Sequence, residues 1–128
     1  RRTGFEQAFV DTDSITHVNY ASVAHTTDGA YRFFCTHDTD YDACFFINYD
    51  GYLGYRKYLK QTGKPGKPCA VFLNDHHESY TVENALYAVA PGKVMGSEAA
   101  WLLFQQMNGK AFVASRRMLV DFHHAVDG

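Results

Sequence analysis

The sequence predicts a single small α/β domain over residues 1–128, with a central sheet flanked by helices, and three observations predict it. Short apolar runs of strand length recur at Ala8-Phe9-Val10, Tyr31 to Cys35, Cys69 to Leu73 and Ala111 to Ala114. Stretches of helical spacing lie between some of them, and a polar cluster stops each run abruptly. The 128 residues are 46% apolar and 20% charged, enough for one core that buries roughly two-thirds of the unfolded surface.

Taken in chain order, Ser14 through Ala24 reads as a short helix and Tyr31 to Cys35 as a strand. From Asp42 to Gln61 the apolar positions Phe45, Tyr49, Tyr52 and Leu59 follow helical spacing, and Thr62-Gly63-Lys64-Pro65-Gly66-Lys67-Pro68 cannot continue a helix. Against a helix, Gly51 and Gly54 each cost about 1 kcal/mol relative to Ala, and Asp50-Gly51 between apolar runs signals a hairpin. If the hairpin forms, the fold moves to the alternative, a β-rich antiparallel sheet with one helix. Cys69 to Leu73 then reads as a strand and Thr81 to Ala88 as a short helix. Ser97 is a good N-cap for a helix that runs to Asn108 and stops at Gly109, with Trp101, Phe104 and Met107 on one face that should pack on the sheet. His123-His124 reads as a fraying terminal pair. A match of Tyr52 to Leu59 with Phe112 to Leu119 is assigned to chance, because the flanks disagree in predicted structure.

A net charge of −2 excludes a global basic field that would draw the protein to nucleic acid or an anionic membrane. No apolar run approaches the roughly 18 residues of a membrane span. Cys35, Cys44 and Cys69 cannot all pair within one chain and lack zinc-knuckle spacing, which favours a reducing, cytoplasmic setting. As small apolar residues they need no function, although Cys44 opens the long helix candidate, where a helix dipole would lower a thiol pKa. No nucleophile elbow, phosphate-binding loop or dinucleotide fingerprint occurs. The basic turn Lys64 to Lys67 reads as solvated, and the 9 tyrosines read mostly as core or rim.

The polar clusters at the ends of the apolar runs carry the chemistry. Ala8-Phe9-Val10 leads into Asp11-Thr12-Asp13-Ser14, Phe33-Phe34-Cys35 into Thr36-His37-Asp38-Thr39-Asp40-Tyr41-Asp42, and Val71-Phe72-Leu73 into Asn74-Asp75-His76-His77. Acids and imidazoles at the carboxyl ends of parallel strands converge on one crevice and can surround divalent ions with mixed oxygen and nitrogen ligands. Asp11, Asp13 and Ser14 suit helix capping as well as ligation. The segment from His37 to Asp42 supplies one His and three Asp within six residues, more than a cap needs, and a cation would relieve their repulsion. His76-His77 fits either a site or an exposed turn.

These residues resemble the DHH phosphoesterase superfamily. His37-Asp38-Thr39-Asp40-Tyr41-Asp42-Ala43 looks like its first motif, a strand followed by His-x-x-Asp-x-Asp-[Ala/Gly] and a helix. Asp75-His76-His77-Glu78-Ser79 looks like the naming motif, and Gly96-Ser97-Glu98-Ala99-Ala100-Trp101 like a later small-residue helix start, so the likeness covers about residues 31–108. The resemblance implies a phosphoester hydrolase that uses Mn, Mg or Zn and acts on a nucleotide or short oligonucleotide. It implies that His37, Asp40, Asp42 and His76 ligate metal, and that Asp75 and His77 orient ligands or protonate a leaving group. Family members are longer and place a further metal-binding Asp between the two motifs. The stretch between Asp42 and Asp75 is too short for that strand, so Asp11 is the residue that would complete the site. The reading from another class is a non-enzymatic binding protein whose Tyr- and Asp-rich loops recognise a carbohydrate or a protein partner.

Overall fold

A computed structural model describes residues 2–7, 18–37, 41–74, 79–110 and 123–125. The elements in chain order are α1 (Arg2–Gln7), α2 (Thr27–Thr36), β1 (Cys44–Phe46), α3 (Tyr49–Thr62), β2 (Cys69–Leu73), β3 (Ala85–Val89), α4 (Gly92–Met107) and β4 (His123–Ala125). The sheet order is β1-β2-β3-β4: β1, β2 and β3 run parallel, and β4 pairs antiparallel with β3. The fold is thus α/β, and the β-rich alternative falls. None of the described helices is long and apolar enough to cross a membrane.

The helix α2 replaces the strand expected at Tyr31 to Cys35. Thr26 caps it, its Oγ1 accepting from the Gly29 N–H at 3.0 Å, and Asp28 pairs with Arg32 one turn on at 2.9 Å. Ala30 and Phe34 are its buried positions, one turn apart. A run of five residues is too short for periodicity to separate a strand from a helix, and the cap decides it.

The segment Asp42 to Gln61 divides into β1 and α3. Asn48 caps α3, its Oδ1 accepting from the Gly51 N–H at 2.8 Å, so Asp50-Gly51 forms a first helical turn rather than a hairpin. Gly54 lies where α2 crosses: a Cβ there would stand 2.5 Å from the Ala30 Cβ and 2.5 Å from the Thr27 carbonyl oxygen. Gly63 ends the helix at φ +67°, a left-handed conformation that suits glycine. The pairs Thr27 with Asp50, Ala30 with Gly54 and Phe34 with Tyr58 show that α2 and α3 run parallel, layered on the sheet.

The core is aromatic. Phe34, Phe46, Tyr52, Tyr55 and Tyr58 pack with Val71, Leu73 and Ala85, and the phenol oxygens reach the surrounding loops. The Tyr55 hydroxyl accepts from the Lys67 N–H at 2.9 Å, and the Tyr58 hydroxyl from the Lys64 ammonium at 3.1 Å. These bonds let a tyrosine ring be buried without an orphaned polar atom.

Other expectations are corrected. Thr81 to Ala88 is not a helix: residues 81–83 belong to neither helix nor strand and Ala85–Val89 is β3, held between β2 and β4, because ladder bonds on both sides outweigh local propensity. Residues 18–24 of the proposed Ser14 to Ala24 helix are non-helical, and residues 14–17 lie outside the described residues. The helix expected from Ser97 begins at Gly92, just after Pro91, so Ser97 is an interior residue. Trp101, Phe104 and Met107 are exposed at 53%, 60% and 77%, not packed on the sheet. His123-His124 belongs to β4, opposite Tyr87 and Leu86, and does not fray. The runs Ala8 to Val10 and Ala111 to Ala114 lie outside the described residues.

Candidate functional site at the carboxyl edge of the sheet

In a parallel sheet all carboxyl ends lie along one edge, where α/β folds place ligands. Here that edge carries Asn48 beyond β1, Asn74 beyond β2 and Pro91 beyond β3. The N-termini of α2 and α3 face the same edge, because both helices run antiparallel to the strands they cover.

Two loops meet there. His25, just before the α2 cap, has its Nδ1 3.0 Å from the Nδ2 of Asn48. The Asn48 Oδ1 is already committed to the Gly51 N–H, which fixes the amide so that Nδ2 faces the imidazole and donates to it. In its neutral form His25 therefore accepts at Nδ1 and carries its proton at Nε2. Thr27 donates to the Asp50 carboxylate at 3.2 Å, tying the first turns of the two helices together.

The second loop joins β2 to β3 and is anchored on both sides of residues 75–78. On the β2 side the Leu73 carbonyl accepts from the Ala90 N–H at 2.9 Å. On the other side Tyr80 stacks on Tyr49, with ring centroids 4.2 Å apart, and the Tyr49 hydroxyl accepts from the Thr81 N–H at 2.9 Å. One turn along α3 the Tyr52 hydroxyl holds Glu83 in the same way, and the Arg56 guanidinium pairs with the Glu83 carboxylate at 2.5 Å. The tyrosines at the start of α3 thus grip residues 81–83 much as a neighbouring strand would.

Of the residues expected in the site, His37 and Asp42 stand at the opposite edge. His37 caps the carboxyl end of α2, stacked on the Phe33 ring at 4.6 Å, with its Nδ1 2.8 Å from the Thr36 Oγ1 and 3.2 Å from the Phe33 carbonyl oxygen. Asp42 is exposed just ahead of β1, at the amino edge of the sheet. Ten residues of α2 separate His37 from His25, about 15 Å of helix axis. A ligand to a divalent ion lies within about 2–2.6 Å of it, so His37 cannot share an ion with a group at the carboxyl edge. The strand that the first motif needs before His37 is also absent, since α2 stands in its place. Asp11, Asp40, Asp75, His76 and His77 lie outside the described residues. Among the described residues no three His, Cys, Asp or Glu side chains come together to hold a metal ion.

Sequence reasoning missed His25, Asn48 and Tyr49. The signal for Asn48 was present as an N-cap residue three positions before Gly51. It was masked by reading Asp50-Gly51 as a turn. As the sequence led one to expect, tyrosines serve the core and its rim: Tyr52, Tyr55 and Tyr58 are buried in the core, and Tyr49 packs against Tyr80. No family model matches this chain, and no curated protein matches it.

Proposed function

We propose that the protein is a phosphoester hydrolase acting on a nucleotide or short oligonucleotide, with its site at the carboxyl edge of the parallel strands rather than around His37. The observation that carries the reading is the double tether of the β2–β3 connection. Leu73 and Tyr80, which flank Asp75-His76-His77-Glu78 in the sequence, are both held at the edge where α/β folds bind ligands.

In this reading His76 and Asp11 ligate a divalent ion, Mn, Mg or Zn, which when bound lowers the pKa of a water and neutralises phosphoryl charge. Asp75 orients the imidazoles, and His77 protonates the leaving oxygen. His25, with its proton directed to Nε2 by Asn48, donates a hydrogen bond to a phosphoryl oxygen. His37 and Asp42 take no part.

The test is hydrolysis of a chromogenic aryl phosphodiester with Mn, Mg or Zn supplied. The parent is expected to be active, and His76→Ala and His77→Ala to lose most activity, with Mn affinity by calorimetry lost only in His76→Ala. His37→Ala and Asp42→Asn should keep the parent rate. A parent inactive with all three ions, or histidine variants as active as the parent, overturns the reading.

A further inference from the structure

Cys44 and Cys69 are the first residues of β1 and β2 and pair directly across the parallel ladder. The Cys44 N–H donates to the Pro68 carbonyl at 3.0 Å, a bond that fixes the register at the pair itself. Side chains alternate along a strand, so Cys44 shares a face with Phe46, and Cys69 shares one with Val71 and Leu73. Phe46, Val71 and Leu73 belong to the core, and both thiols pack against it, half-buried. In-register residues of neighbouring strands stand about 4.8 Å apart, inside the range of roughly 4.4–6.8 Å that disulfide-linked Cα atoms span. Cys35 lies on α2, exposed, and is no part of the pair.

We propose that Cys44 and Cys69 form a reversible oxidation site, closing a disulfide across the amino ends of β1 and β2 when a small-molecule disulfide such as oxidised glutathione is the oxidant. Cys69 attacks first, because the Arg56 guanidinium favours its thiolate, whereas burial and the facing thiol both hold Cys44 protonated. Its thiolate displaces one glutathione thiolate and leaves a mixed disulfide. The Cys44 thiol loses its proton to solvent, attacks the Cys69 sulfur and expels the second glutathione. Two protein thiols are oxidised and one glutathione disulfide is reduced to two thiols. The same geometry makes the bond easy to reverse. Paired Cβ atoms of parallel strands lie near the strand spacing, wider than the roughly 3.5–4.5 Å of a relaxed disulfide, so closure draws the two strand starts together. A bond strained in this way is readily reduced, as regulatory disulfides are. Closed, it turns β1, α3 and β2 into one loop and ties down the crossover that brings Tyr52, Tyr55 and Tyr58 to the core.

The test equilibrates the Cys35→Ser chain with glutathione redox buffers, folded and in concentrated urea, and reads the products by mass spectrometry after acid quenching. The folded chain is expected to lose two hydrogens and to yield the Cys44 and Cys69 peptides linked, and excess reduced glutathione should restore both thiols. Its equilibrium should lie about tenfold or more further toward the disulfide than that of the chain in urea, where the closure entropy of the loop opposes the bond. Should Cys35→Ser not fold, the same linked peptides are expected from the parent chain. Thiols that stay free, a mixed disulfide that never closes, a bond that reduced glutathione leaves intact, or an equilibrium no more favourable folded than in urea each overturns the proposal.

Discussion

The phenol of Tyr52 bonds both backbone groups of one residue, donating to the Glu83 carbonyl at 3.0 Å and accepting from the Glu83 N–H at 2.9 Å. With its ring 1% exposed in the core, this side chain couples aromatic packing to the path of the β2–β3 connection. Tyr52→Phe keeps the ring and removes both bonds. Two partly buried backbone groups then lose their partner, and the expected loss is about 1–3 kcal/mol, read from urea unfolding. If the tether also positions the loop that carries His76 and His77, phosphodiesterase activity should fall more steeply than stability.

Gly54→Ala is expected to destabilise, although alanine is the better helix former by about 1 kcal/mol on an exposed helix. The added methyl would stand 2.5 Å from the Thr27 carbonyl oxygen and 2.7 Å from the Tyr31 nitrogen, backbone atoms that cannot swing aside. Separating α2 from α3 to admit it should cost about 1–3 kcal/mol net, as other overpacked contacts do. Thermal or urea unfolding gives the sign directly, and a stabilised variant would mean that the helices lie further apart.

The α/β class was legible because β2 and the helical spacing of α3 are long enough for their periods to be read. Cys69 to Leu73 reads as a strand and is one. What misled was local ambiguity settled by distant partners. Tyr31 to Cys35 has the apolar character of a strand, yet the Thr26 cap and the fit of Ala30 against Gly54 make it a helix. That change reverses the geometry of the candidate site. A strand ending at Cys35 would deliver His37 to the carboxyl edge, whereas a helix parallel to α3 delivers it to the amino edge. The pairing of His25 with Asn48 joins residues 23 apart in sequence, and no short-range pattern encodes it.

Trp101→Ala separates the two views of α4 directly. A ring packed on the sheet would cost about 3–5 kcal/mol on truncation. At 53% exposure on a helix without a described partner, the expected cost in dilute protein is under about 1 kcal/mol. As the single tryptophan of the chain, Trp101 should also emit with the maximum of a water-exposed indole, and that maximum should hardly move on unfolding in dilute solution.

The thiols predict how stability changes in alkali. Cys44 and Cys69 stand directly opposite each other on adjacent parallel strands and are both half-buried. Burial, with a smaller contribution from the facing Cys69, pushes the Cys44 thiol from its ordinary 9.0 up to about 12. Burial also raises Cys69, opposed in part by the Arg56 guanidinium. An acid whose pKa is higher in the folded state binds its proton more tightly there, so its contribution is complete below the unfolded value and fades as pH rises past it. For Cys44 that window opens near pH 9 and closes near pH 12. The urea midpoint should therefore decline above pH 9, and Cys44→Ala should show a shallower decline even if its midpoint is lower throughout. Tyr41 and Tyr52, both raised mainly by burial, add to the slope from about pH 10 in parent and variant; Cys44 also raises Tyr41 slightly, so the difference between the two curves reports the thiol together with that smaller coupling. At neutral pH the same burial keeps Cys44 and Cys69 protonated, and iodoacetamide should modify the exposed Cys35 well before either of them. Equal labelling of all three cysteines in the folded protein, or identical alkaline slopes for parent and Cys44→Ala, would contradict the paired, half-buried thiols of β1 and β2.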